Sequence, residues 1–329
     1  MRRCVTFLLG VGAVVTAGRW AVAGQIWLYP DADTFINSAF PDNNNGRSQS
    51  LYTGENGKPG TMRSLLRFTP PDDLLQGRAT VTHAVLTMVT LGTGGVDETT
   101  PPTPATESLQ AVSVPWVEGT GFGAGPTSNT VGQACAASGA TWNQPNCAGD
   151  TPWSGGNVSA TISGVADVPA MVDALVTWDS AAAGNAGMVA DVQGWMDSPA
   201  TNQGWRLTSS TEGAASGQAQ RFVSRELGPL AGKGPALVLT FACRAGFVEA
   251  YEGCAPVGDA GDGSTPVGTA SSGSGCSCGV GAAGASGPGG LLAAGGLLIA
   301  ALFAARRRTR RSDRARPARR RGPAGSAAE

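Results

Sequence analysis

Arg63 and Arg67 stand four residues apart in RSLLRF (63–68), and a third arginine, Arg225, is followed directly by Glu226 in FVSRE (222–226). On an extended strand, residues two or four apart share a face, so Arg63 and Arg67 project together. Guanidinium forks grip carboxylates through paired hydrogen bonds. These four side chains therefore fit either a site for an acidic sugar or a structural Arg–Glu lock between neighbouring strands. Trp116, Trp142, Trp153, Trp178, Trp195 and Trp205 add flat apolar rings on which sugars could stack. Most of them read as core, and Trp153, in a Pro/Gly-rich segment, is the one expected at the surface. Asp31, Asp33 and Asn43 gather hard oxygens near a strand end, as a Ca2+ site requires. Their spacing is not that of an EF-hand, and Asx turns use the same residues without metal. Beyond Ca2+, no cofactor is indicated.

Catalytic patterns are missing. The chain contains no H-E-x-x-H, G-x-S-x-G, Walker A or dinucleotide-binding glycine motif. Its single histidine, His83, falls in mid-strand, where a packed residue is expected rather than a base. A lyase using Tyr and His would have only Tyr29 and Tyr52 available in the domain. A two-carboxylate glycosidase stays open, because acids are plentiful and their separation is not readable from sequence.

The elements that must position these residues are short strands set between Gly, Pro, Asn and Asp. Candidates are 26–29, 33–36, 63–68, 80–91, 109–114, 158–162, 205–209, 221–225 and 236–241. In the longest, 80–91, strict alternation places Val81, His83 and Val85 on one face and Ala84, Leu86 and Met88 on the other. One short helix is expected at 188–197, with Val189, Val192 and Trp195 three apart and Ser198-Pro199 stopping it. The class this predicts is all-β, a jelly-roll β-sandwich, followed by a single apolar C-terminal helix.

Both ends read as targeting segments. Residues 1–23 combine Arg2-Arg3, an apolar run and Ala21-Val22-Ala23, the layout of a cleaved signal peptide. Residues 289–305 are seventeen uncharged residues, about 26 Å as a helix, enough for a thin bilayer core. Ten arginines and one aspartate follow between 306 and 321, which predicts a cytoplasmic tail over 306–329. The domain itself, 24–242, is acidic: nine Lys/Arg face eighteen Asp/Glu between residues 25 and 242. That balance argues against a nucleic-acid partner, since phosphate neutralisation needs a basic surface. Six cysteines outside the leader form neighbouring pairs, 135/147, 243/254 and 276/278. In an exported chain such spacing reads as local disulfides. Cys135–Cys147 would pin a long insertion, and Cys243–Cys254 would close a knuckle over 243–254. A Gly/Ser-rich linker, 255–288, carries Cys276 and Cys278.

Two resemblances rest on these strings. Cys276-Ser277-Cys278, the apolar segment and the arginine cluster, about residues 273–311, resemble the MYXO-CTERM sorting signal of myxobacterial surface proteins. That resemblance implies export, processing near the cysteines and retention at the cell envelope. Within 25–242, ADTFIN (32–37), the Asn-rich loop ending at Gly46, RSLLRF, ATVTHAVLTM (79–88), WVEGT (116–120), TWNQP (141–145), VTWD (176–179), VQGWMDSPATNQGW (192–205), FVSRE and PALVLTF (235–241) resemble the DNRLRE family. This family is also described as a carbohydrate-binding module of alginate-type polysaccharides. The resemblance implies a non-catalytic jelly-roll module of secreted proteins. Residues 121–140 and the Thr/Pro-rich loop 92–107 depart from the family pattern. The resulting expectation is an exported, surface-held, non-catalytic protein that binds a polysaccharide and contacts the membrane through its C-terminal segment. The alternatives are a purely structural envelope or matrix protein, and a glycosidase or polysaccharide lyase.

Overall fold

In β1 (Gly24–Leu28) the alternation of the sequence becomes the alternation of the strand: Ile26 and Leu28 turn inward, Gln25 and Trp27 outward. The computed structural model describes residues 24–55, 60–92, 101–122, 131–149, 151–214, 219–228, 232–250 and 253–257. The expectations for residues 1–23, for Cys276 and Cys278, and for 289–305 and 306–329 lie outside the described residues. Among the described residues, no helix is long and apolar enough to cross a membrane.

The described residues are mostly β, with antiparallel sheets and one short helix. After β1 come β2 (Ala32–Asn37), β3 (Asn43–Asn44), β4 (Ser50–Glu55), β5 (Thr61–Arg67) and β6 (Ala79–Val89). Then follow β7 (Ala105–Ala111), β8 (Gln133–Ala134), β9 (Gly164–Val168), β10 (Leu175–Asp179) and α1 (Gly187–Asp197). The series ends with β11 (Trp205–Ser209), β12 (Gln220–Val223), β13 (Ala236–Cys243), β14 (Phe247–Ala250) and β15 (Gly253–Pro256). One sheet has four strands in the order β1-β13-β6-β10. The other runs β12-β4-β5-β11-β7-β9, with β2 also paired to β5, and curls into a half-barrel.

The main core lies between these sheets. Leu86, Leu237, Phe241 and Trp178 from the first meet Leu51, Leu66, Trp205 and Phe222 from the second. Helix α1 plugs the core with Met188, Val192, Trp195 and Met196, a spacing that collects them on one helix face. A second, smaller core covers the opposite side of the half-barrel. There Ala32, Ile36 and Leu65 are roofed by Trp116, Ala140 and Trp153 from the long segment between β7 and β9.

Two strand expectations need correction. The strand expected over 158–162 does not form; only Val158 bridges Val112, and the paired strand begins at Gly164. Ser159 supplies a reason, because its hydroxyl accepts from the Thr161 N–H and bends the chain locally. Strict alternation also fails in β6. The register with β13 shifts between Thr240 and Phe241, so Val81 pairs with Phe241 while His83 pairs with Thr240, leaving Thr82 as the extra residue of a bulge. Val81 consequently turns inward while His83 turns outward.

Cys135–Cys147 and Cys243–Cys254 are disulfide-bonded. The first lies within the roof segment, and the second ties the end of β13 to the β14–β15 hairpin. Two such bonds suggest an oxidising, extracytoplasmic environment.

Candidate functional site

The outer face of the four-stranded sheet carries the two most exposed aromatic side chains among the described residues. Trp27 is 58 % exposed and Tyr29, just past the end of β1, is 68 % exposed. Register extends the platform sideways. Trp27 stands opposite Val238, Val238 opposite Val85, and Leu175, 63 % exposed, opposite Val89. A groove of about 570 Å3 runs over this face, lined by Trp27, Tyr29, Thr87, Leu175, Lys233 and Arg225 together with the Gly-rich loop around Gly232 and Gly234. Lys233 pairs with Asp173 at 2.8 Å on the groove's edge.

Arg225 connects the groove to a carboxylate cluster. Its Nε and Nη2 donate to Glu118 Oε1 and Oε2 at 2.7 and 2.6 Å, a bidentate fork. Its backbone N–H donates to Asp33 Oδ2 at 2.7 Å, and Asp33 N–H in turn donates to Glu118 Oε1 at 2.8 Å. Glu226 Oε1 lies 3.4 Å from Arg225 Nε. One carboxylate oxygen from each of Asp33, Glu118 and Glu226 falls within 4.8 Å of the other two. Burial, then the neighbouring charge of Glu226, pushes the Asp33 carboxyl well above its ordinary range. Burial also raises Glu226, against the opposing pull of Arg225, and the Glu118 hydrogen bond raises Arg225 further.

The four-residue network expected from sequence divides into two. Arg225 and Glu226 belong to the cluster just described, whereas Arg63 and Arg67 stand on β5 against the roof segment. Arg63 forks onto Glu212 at 2.9 Å, donates to Gly155 O and lies 5.0 Å from the Trp142 ring centroid. Arg67 pairs with Asp31 at 2.8 Å and lies 5.5 Å from the Trp116 ring centroid. Among the described residues no ion pair joins Arg63 or Arg67 to Glu226. Because the Arg67–Asp31 pair is about one-third exposed, Arg67→Ala should reduce stability by only about 1 kcal/mol. A urea titration showing a loss above about 3 kcal/mol would mean that Arg67 also supports a buried acid.

The three oxygen donors proposed for Ca2+ also separate. Asp31 is engaged by Arg67 and Thr69, and Asn43 donates to Val131 O, so only Asp33 joins other acids. Trp153, expected at the surface, is 3 % exposed and donates to Thr141 O at 2.8 Å. Its Pro/Gly-rich segment folds back as part of the roof, and the indole N–H finds the partner that burial demands. Trp116, Trp178, Trp195 and Trp205 are buried as well, while Trp142 lies under Arg63.

His83 corrects the expectation of a packed residue. The bulge turns it outward, and its Nε2 meets Asp179 Oδ1 at 2.6 Å, with both side chains more than a third exposed. That hydrogen bond is the first cause holding the Asp179 carboxyl below its ordinary range. Ser180 lines the same hollow, but its Oγ accepts from Ala84 N–H, and among the described residues no hydrogen bond links it to His83. An imidazole and its orienting acid are present without a nucleophile hydrogen-bonded to them.

Four residues that make or hold the site, Trp27, Tyr29, Glu118 and Asn44, whose Nδ2 donates to Glu118 O at 2.7 Å, were not among those expected from sequence to bind a ligand. Trp27 and Tyr29 had a usable signal, the period-two alternation Ile26-Trp27-Leu28. Glu118 and Asn44 had none, because their partners are distant in the chain. No family model matches this chain, and no curated protein matches it.

Proposed function

We propose that this chain is an exported, non-catalytic module that binds a polysaccharide along the outer face of its four-stranded sheet. The observation that carries this reading is the pair of exposed rings, Trp27 and Tyr29, edging a groove bordered by threonine, lysine and arginine. Sugar rings offer apolar C–H faces to aromatic planes and hydroxyls to a polar border, so a surface of this kind matches them. The fold is read as a jelly-roll β-sandwich of the DNRLRE kind, held at the cell surface by the Cys276/Cys278 sorting signal or released from it. Opposed antiparallel sheets sharing one core support that architecture.

A glycosidase is poorly supported. The clustered carboxylates centre on Asp33, which is 1 % exposed, so they do not flank a sugar from two sides. A purely structural envelope protein is the second reading, favoured by the fact that Arg63, Arg67 and Arg225 each already have a carboxylate partner.

The two are separated by retention of the full-length protein on immobilised alginate and on a neutral glucan. Trp27→Ala should weaken retention roughly tenfold, the order expected from losing one stacked ring. Because Trp27 is exposed, the melting temperature should change little. Weakening by salt would mark the ligand as acidic. Absence of retention on either matrix, or retention indifferent to Trp27→Ala, would leave the structural reading standing.

A further inference from the structure

We propose that Asp33, Glu118 and Glu226 hold a divalent cation of the calcium class in the wall of the groove. The three residues arrive from separate parts of the chain: Asp33 from β2, Glu118 from the roof segment and Glu226 from the turn after β12. Their oxygens within 4.8 Å of one another match the span across one calcium ion, whose oxygen ligands stand at about 2.3–2.6 Å from it.

The second observation is a deficit of partners. Asp33 is 1 % exposed, and among the described residues neither its Oδ1 nor Glu226 Oε2 receives an N–H or neutral O–H donor; the two carboxyls have only each other within hydrogen-bond reach, which demands a proton or a cation between them. The other oxygen of each faces Arg225, which leaves Oδ1 and Oε2 as the atoms that lack a donor and are open to a cation. A buried acceptor without a donor is costly, and such groups are few in a well-packed protein. Glu118 is committed to Asp33 N–H and Arg225, but among the described residues Oε2 accepts a single hydrogen bond, from Arg225, and keeps a lone pair.

Charge gives the same answer. With all three carboxylates ionised, as metal ligands must be, the one guanidinium leaves two negative charges, and one divalent cation brings the group to neutrality. The donors are all hard oxygens, with no imidazole or thiolate among them, which favours calcium over zinc or copper. Arg225 also lines the groove, so the cation would brace the wall on which the proposed ligand rests, although binding of the metal does not depend on that ligand.

The test uses the full-length protein stripped with chelator and titrated calorimetrically with Ca2+ alone. One equivalent should bind. At a concentration about a hundredfold above Kd the melting temperature should rise by roughly 5–10 °C. Glu226→Gln should abolish the binding and the thermal shift. Since Glu226 is half-buried, this variant tests the site even if Asp33→Asn fails to fold. Absence of binding at millimolar Ca2+ overturns the proposal, and leaves a proton shared between Asp33 and Glu226 as what balances the cluster. Equal binding by wild type and Glu226→Gln overturns it too, by placing the ion elsewhere.

Discussion

At pH 9 the Glu107→Gln variant should be more stable than the wild type by about 3–5 kcal/mol, while at pH 5 the two should agree within about 1 kcal/mol. Glu107 lies on β7 with its side chain fully buried. Its Oε1 accepts from Thr53 Oγ1 at 2.9 Å, and its backbone carbonyl accepts from the Trp178 indole. Burial is the main cause that pushes its carboxyl from 4.5 up to about 8; hydrogen bonds from Ser209 and Thr53 oppose this, and the charge of Glu212 adds to it. The folded pKa thus lies above the unfolded one. Glu107 then contributes stability that is complete below about pH 4.5 and is lost as pH rises through about 8. The glutamine keeps the shape without a charge to bury, so the difference between the two proteins isolates this one group from Asp33 and Glu226, which titrate in both. Chemical denaturation at half-unit steps from pH 5 to 9 measures it. Parallel stability curves for the two proteins would mean that Glu107 reaches water or a cation and ionises without penalty.

Sequence patterns served where they were local. Helix α1 and its stop at Ser198-Pro199, the Cys135–Cys147 and Cys243–Cys254 disulfides and most strands follow from periodicity, proline and spacing within a dozen residues. The same logic marks Trp27 as outward, since Ile26 and Leu28 flank it on an otherwise inward-facing strand. Local logic failed where composition and tertiary context disagree. Trp153 sits among Pro and Gly, which reads as surface, yet the segment is a roof whose indole seals the second core. The alternation of β6 holds from His83 to Val89 but shifts at Thr82, so His83 parts from Val81, and a bulge has no sequence mark without a partner strand to show the mismatch. Arg67 and Glu226 were paired by residue type. Topology instead gave Arg67 the nearby Asp31 and gave Arg225 a glutamate 107 positions away.

Asn44→Ala should lower stability by about 3–5 kcal/mol, because Asn44 joins the roof segment to the β2–β4 region through every donor and acceptor its side chain has. Nδ2 donates to Glu118 O at 2.7 Å and to Ala140 O at 2.9 Å; Oδ1 accepts from Gly121 N–H at 2.7 Å and from Gly46 N–H at 3.2 Å. The side chain is buried, in a slot where a Cβ on Gly119, Gly121 or Gly139 would collide with it, two of these glycines also having positive φ. Truncation leaves two carbonyls and two N–H groups without partners, and water can satisfy only part of that loss. Asn44→Asp should be nearly as damaging, since an oxygen would then face the two carbonyls that now receive Nδ2. The damage should also reach the carboxylate cluster, because Asn44 grips the backbone of the residue whose side chain carries Arg225 and Asp33 N–H. In a double-mutant cycle, Asn44→Ala and Glu118→Ala should therefore fall short of additivity by about 1 kcal/mol or more. Additive losses would show that Asn44 closes the roof without positioning Glu118. A loss below about 1 kcal/mol for Asn44→Ala alone would show that the slot refills with water and that the roof is held by its tryptophans instead.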